Sequence, residues 1–214
     1  MTTRKTYLGV LVAALVLTAG CSGFLGEDQS FEASEISVSG DALSEAGYES
    51  AEEREYTSNE TIELDGNETE VSITSTLAGY EKASDNGSGY FIALATPKST
   101  IAGVDANPLG SANKSRIVAE VLSRSDEAGI DVSEDDLRAV DNTFVTTLDT
   151  NTTVTTYEAT AERSGTERDV LIHAVRVEHG DDYVIAVGVH PTSADDGKSD
   201  VIALIEGLEH DTGE

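Results

Sequence analysis

Glu167-Arg-Asp-Val-Leu-Ile-His-Ala-Val-Arg-Val-Glu-His-Gly-Asp-Asp-Tyr-Val-Ile-Ala-Val-Gly-Val-His190 decides the fold. It holds two strand-like runs, 167–178 and 183–190, joined through Gly180, Asp181 and Asp182. A connection this short makes the runs antiparallel neighbours, since a parallel crossover needs about a dozen residues or more. In the first run Val170, Ile172 and Ala174 share a face with Arg176, while Leu171, His173, Val175 and Val177 share the other. Apolar residues on both faces imply a strand covered on each side, with Arg176 and Glu178 marking where the first face meets water. A bulge is the alternative.

Upstream, residues 143–149 and 152–162 are two further strand-like runs, linked by short turns at 149–151 and at Ser164-Gly165. Downstream, Val201, Leu204, Ile205 and Leu208 fall at offsets 0, 3, 4 and 7, one face of a helix with Ile202 at its border. Asp195, Asp196 and Asp200 lie near the positive end of that helix, where acids are favoured. Its stripe is expected to pack on the apolar face of the sheet.

The first half reads less sharply. Residues 39–47 form one or two helical turns closed by Gly47. Residues 48–64 are extended, broken at Ser58-Asn59, and Asp65-Gly66-Asn67 is a hairpin signal. The return strand, 69–82, carries Val71, Ile73, Ser75, Leu77 and Gly79 on one face. After a turn over 85–89, Tyr90 to Thr96 is a more apolar strand nearer the sheet centre, ended by Pro97. Residues 98–110 read as a loop, and 111–125 as a helix with Ile117, Val118, Val121 and Leu122 on one face. Ser133 and Asp136 suggest a capping box for a shorter helix bearing Leu137 and Val140. Strands and helices are segregated, so the class is α+β. The expected architecture is a curved antiparallel sheet of about six or seven strands, packed against a C-terminal amphipathic helix and one or two further helices.

Composition bounds the surroundings. The 214 residues hold 41 Asp plus Glu against 13 Lys plus Arg, a formal charge of −28. The acids are spread along the chain, not gathered in a tail. Such a field repels nucleic acid and anionic lipid surfaces at modest salt. The spread resembles proteins of salt-loving archaea, and at molar salt, where the Debye length is about 3 Å, the self-repulsion is screened. No stretch has the spacing of an EF-hand loop.

Residues 1–20 have a basic head (Arg4, Lys5), a short apolar run from Tyr7 to Leu17, and small residues before Cys21. These are the parts of an export signal, too short to span a ~30 Å hydrocarbon core. Leu17-Thr-Ala-Gly-Cys21 resembles the lipobox of prokaryotic lipoproteins, which implies a thioether-linked diacylglycerol on Cys21 and cleavage before it. An ordinary secretory signal is the alternative. Two acyl chains make a durable anchor where one is marginal. Thr3-Arg-Lys-Thr-Tyr-Leu8 resembles a twin-arginine motif with lysine in place of its second arginine, and the general secretory route stays open. Cys21 is the only cysteine, so no intrachain disulfide forms. Residues 21–35 read as a lipid-anchored acidic tether and 36–210 as a single domain, with the body on the outer face of the cytoplasmic membrane.

No constellation for chemistry stands out: there is no Gly-x-Ser-x-Gly elbow and no phosphate-binding glycine-rich loop. Ser84-Asp-Asn86 reads as a turn. His173 and His179 stand roughly 20 Å apart along their strand, six steps of ~3.3 Å, too far to share a metal. His190 comes near His173 if the Gly180 hairpin pairs them; a cross-strand pair is the reading, without metal, cofactor or catalytic residue. Five Asn-x-Ser/Thr sequons occur, at Asn59, Asn67, Asn86, Asn113 and Asn151, and Asn67 and Asn86 are the best glycosylation candidates.

Ala42-Leu-Ser-Glu-Ala-Gly-Tyr48, Leu94-Ala-Thr-Pro97, the 180–189 stretch and Leu204-Ile-Glu-Gly-Leu-Glu-His210 resemble a family of halophilic-archaeal lipoproteins of unknown function. That resemblance implies location and a solitary domain, and no activity. At fold level the pattern is also similar to the PsbP-like fold, whose members are often binding or assembly modules. Three functions follow as expectations. The first is a non-catalytic surface lipoprotein that binds a small solute, an envelope component or a surface-layer protein through a concave or apolar patch away from the terminal helix. The second is a structural envelope lipoprotein with no discrete pocket, and the third a hydrolase using Asp and His. The membrane, through Cys21, is a partner in each; nucleic acid is not.

Overall fold

A computed structural model describes residues 29–64, 66–84, 87–125, 129–163 and 166–212. The signal segment, Cys21, the start of the tether and Asn86 lie outside the described residues. In chain order the elements begin with strands β1 (Gln29–Glu32) and β2 (Ile36–Val38), helix α1 (Gly40–Ala46), and strands β3 (Glu49–Leu64), β4 (Asn67–Lys82) and β5 (Gly89–Pro97). Strands β6 (Thr100–Ile101) and β7 (Val104–Asp105) and helices α2 (Pro108–Ser111) and α3 (Lys114–Arg124) follow. The last third holds β8 (Arg138–Thr147), β9 (Thr150–Arg163), β10 (Thr166–His179), β11 (Asp182–Pro191), α4 (Gly197–Glu206) and β12 (Leu208–His210).

The main sheet has eight strands, ordered β1-β4-β5-β11-β10-β9-β8, with β3 paired along the other side of β4. All its pairings are antiparallel except β1 with β4, where Gln29 lies beside Val71 and Glu32 beside Thr74. The class is α+β, as expected. Residues 29–32, read as the end of the tether, are therefore a strand. Phe31 explains the departure: it packs with Val71, Ile73 and Ile101 in a small apolar cluster at this edge.

Helices cover both faces, as the two apolar faces of residues 170–177 require. On one, Val170, Ile172 and Ala174 join Ile92, Leu94, Ile185 and Val187 beneath the α3 residues Ile117, Val118, Val121 and Leu122. On the other, Val175, Val177, Phe91, Val184 and Ala186 pack against Val201, Leu204 and Ile205 of α4 and Ala46 of α1. Burial of this kind contributes about 1.5–3 kcal/mol per large side chain. Gly188 lets α4 approach, since a Cβ there would stand 2.4 Å from Val201.

Several expectations need correction. β3 runs through Ser58-Asn59 unbroken, because Ser72 donates to the Asn59 side chain across the pair and the ladder with β4 tolerates both residues; its irregularity lies at Ser50/Glu52. Residues 98–110 are not a bare loop: β6 and β7 form a tiny hairpin, and Asn107 caps α2 by accepting from the Leu109 N–H. The Ser133 box does not cap a helix. A single 3₁₀ turn at Glu134–Asp136 leads into β8, so Val140 is on a strand. The β8–β9 turn sits at Leu148 (φ 47°) and Asp149 (φ 56°), a residue or so earlier than expected, as two successive left-handed residues suit a tight hairpin. Leu208 leaves the α4 stripe to pair with Val38 in the β2–β12 ribbon, and Gly207 ends the helix before it. Arg176 does not mark a water boundary: its guanidinium donates to the carbonyls of Leu109, Gly110 and Ala112, where α2 leaves acceptors unpaired.

Candidate functional site

The ends of β4, β5, β10 and β11 meet at one margin of the sheet. There the start of β5, the end of β11 and the start of β10 leave a hollow of about 390 Å³ on the α3 face, opposite α4. Its floor is apolar: Tyr90, Ile130, Ala161, Val170, Val189 and Pro191. These residues, Pro191 apart, belong to the core beneath α3, so the hollow is an opening into the core itself. The rim carries Ser84, Ser88, Thr166 and Arg168. An apolar floor with a few polar groups at the mouth is the usual chemistry of a small-molecule site. The Tyr90 hydroxyl is committed to Glu81 at 2.7 Å, which fixes the ring that forms one wall.

Beyond Ser84, Gly87 and Pro191, shared by both, a second hollow of about 180 Å³ opens toward α4. Tyr48, Lys82, His190, Gly197 and Asp200 line it. Lys82 pairs with Asp200 at 2.6 Å and lies 6.0 Å from the centre of the Tyr48 ring. Burial, reinforced by Asp200, pushes the Tyr48 hydroxyl well above its ordinary pKa, so it stays neutral.

Under that hollow His173 and His190 stack, ring centres 5.1 Å apart and 14° from parallel. The register places Leu171 opposite His190, so the two histidines are diagonal neighbours on the α4 face. Their Nε2 atoms are 2.9 Å apart. His190 Nδ1 lies 2.9 Å from the Pro191 carbonyl, which only accepts, so this nitrogen carries a proton. In the neutral ring Nε2 then accepts from His173 Nε2–H, and His173 Nδ1 accepts from the Thr156 hydroxyl at 3.0 Å. Every polar atom of the pair is satisfied with both rings neutral. Burial lowers both pKa values; His190 adds to the effect at His173, which falls to about 3.

The other two histidines also meet, at the far end of the same hairpin. His179 Nδ1 is 2.9 Å from His210 Nδ1, and His210 Nε2 is 3.0 Å from Asp182 Oδ2. Asp182 also accepts from the Ser34 N–H at 2.9 Å. This cluster ties the C-terminal ribbon and the segment after β1 to the β10–β11 turn. Among the described residues, no group of three or more His, Cys, Asp or Glu is placed to hold a metal.

Residues 35–209 match a family described as a domain of unknown function, DUF6517. The chain belongs to that family. No curated protein and no solved structure matches it. The DUF6517 match begins at residue 35, close to the expected domain start, and takes in both hollows and all but the last of the four histidines.

Of the residues singled out in the sequence, Asn67 opens β4 and is exposed, opposite Leu64. Asn113 caps α3 by accepting from the Arg116 N–H at 2.8 Å, and its amide donates to Glu134, so its side chain is engaged at both ends. Cys21 and Asn86 lie outside the described residues of this DUF6517 chain. The His173–His190 contact was legible from the hairpin. The roles of Thr156 and Asp182 were not, because threonines and acids are everywhere in this composition. Nor was the His179–His210 contact, which needs a strand, β12, that three residues cannot announce.

Proposed function

We propose that this chain is a lipid-anchored protein of the outer face of the cytoplasmic membrane whose folded body binds a small solute and performs no catalysis. The observation that carries the binding reading is the hollow of about 390 Å³ on the sheet face away from α4. Its apolar floor suits a ligand with an apolar body, and Arg168, Ser84, Ser88 and Thr166 at its mouth suit a head rich in hydrogen-bond acceptors. Both histidine pairs spend ring nitrogens on protein partners, which supports a structural role for them.

The anchor rests on the lipobox-like Leu17-Thr-Ala-Gly-Cys21. The spread of acids supports a halophilic-archaeal origin, and a largely antiparallel sheet covered by helices on both faces supports the PsbP-like resemblance. Asn67, exposed at a hairpin, is the glycosylation site we favour. Fractionation tests the anchor: the native chain should sediment with membranes and Cys21→Ser should not, and identical partitioning of the two would defeat it. For the hollow, Ser88→Trp fills the mouth from a half-buried position. Solvent extraction of the native chain, purified from its host at ~3 M salt to keep surface repulsion screened, should yield one compound missing from the Ser88→Trp extract. Equal amounts from both, or none from either, would refute a binding function there.

A further inference from the structure

The two long edges of the sheet differ in a way that the fold does not need. Along β3, glutamates stand exposed at 49, 53, 55 and 63, the kind of charge that keeps an edge from pairing with another chain. On β8 the stretch Asn142-Thr-Phe-Val-Thr-Thr147 has no charge at all, in a chain with 41 acids. Phe144, at its middle, is 87% exposed and Val140 39%. Among the described residues no strand lies on the outer side of β8.

The backbone of this edge is set to accept a partner. The tight turn makes Thr147 and Thr150 a hydrogen-bonded pair, and such pairs alternate along an antiparallel ladder. Asn142, Phe144 and Thr146 therefore aim their N–H and C=O groups away from β9. Register with β9 is regular from Asp141 to Thr147, beyond the irregularity at Ala139/Asp141, and Phe144 is the centre of that stretch. The polar neighbours are already ordered across the hairpin, Thr146 to Asn151 at 2.9 Å and Thr155 to Asn142 at 3.1 Å.

We propose that β8 pairs antiparallel with β8 of a second copy about a two-fold axis at Phe144, joining two eight-stranded sheets into one. The stretch is complementary to itself. In this register Phe144 lies beside its own copy, and Asn142 lies opposite Thr146 of the second copy. Asp141, already paired with Lys198 at 2.7 Å, falls opposite an uncharged threonine. Beyond the regular stretch, exposed Val140 approaches half-buried Leu148 of the second copy. In a chain with 41 acids against 13 basic residues, an uncharged strip lets two copies meet with little repulsion, and two-fold contacts are the commonest closed assembly.

Light scattering coupled to size exclusion on the full chain, in ~3 M KCl where the Debye length is under about 3 Å, is the test. The native chain should give the mass of two copies and Phe144→Asp half of it, with the circular dichroism spectrum unchanged. Phe144→Cys checks the register independently. Hydrogen-bonded antiparallel partners have Cα atoms about 5.5 Å apart, within disulfide range. Phe144→Cys should therefore form a covalent dimer under mild oxidation, whereas Asn142→Cys and the native chain should not. A native chain of single mass, a Phe144→Asp variant that stays double, or cross-linking through Asn142→Cys in place of Phe144→Cys would overturn the proposal.

Discussion

The chain of hydrogen bonds from the Thr156 hydroxyl through His173 and His190 to the Pro191 carbonyl is complete only while both rings are neutral. Unfolded histidines take up protons near pH 6.5, whereas burial lowers both of these, His173 to about 3. The unfolded state therefore binds more protons as pH falls below about 6.5, and stability is lost in that direction. The pair is fully stabilising above that pH. His173 should contribute a slope of up to about 1.4 kcal/mol per pH unit between pH 6.5 and 4, and His190 adds to it in the same direction. Denaturant titrations of the native chain and a His173→Leu/His190→Leu double variant should show this excess slope in the native chain; parallel pH profiles would exclude it. Gly197 gives a second test. A helical Gly→Ala change ordinarily stabilises by roughly 0.5–1 kcal/mol, yet a Cβ here would stand 2.3 Å from His190 Nδ1. Gly197→Ala should instead destabilise by about 1–3 kcal/mol, the usual cost of overpacking, and a raised thermal midpoint would contradict that.

Among elements, α3 shows what a local pattern carries. Its stripe was legible in the sequence, but its start was not: the helix expected from residue 111 begins at Lys114, after the Asn113 cap. Removing that cap by Asn113→Ala should cost about 1 kcal/mol in a denaturant melt; no change would show the cap to be dispensable. The β9–β11 meander was equally legible, because alternation and short turns fix neighbours without reference to the rest of the fold. Several short elements were not, β6, β7 and α2 among them. β1 is four residues and β12 three, and each is a strand only because a partner distant in sequence supplies the ladder. At residues 133–140 a helical capping signal competed with β-branched sequence to follow, and pairing with β9 prevailed. The hollow was foreseen only as a patch away from the terminal helix. Its wall at Ile130 and rim at Arg168 depend on how loops close over the sheet margin, which periodicity does not report.

For the whole molecule, charge and binding are the two properties to test. In the lipoprotein we propose, loss of the signal would take Arg4 and Lys5 and no acid from −28, leaving −30. Lengthening the Debye length from about 3 Å at 1 M salt to about 10 Å at 0.1 M restores repulsion among those acids. The thermal midpoint should therefore drop markedly on dilution into low salt, by circular dichroism, and an equal midpoint in both would oppose a halophilic reading. The binding function itself is tested most directly by crystallography of the chain purified from its own host at high salt. Density for one compound is expected in the hollow, its apolar part against Val170 and Val189 and its polar end at Arg168. A hollow holding ordered water alone, with a co-purified compound seated elsewhere, would contradict it.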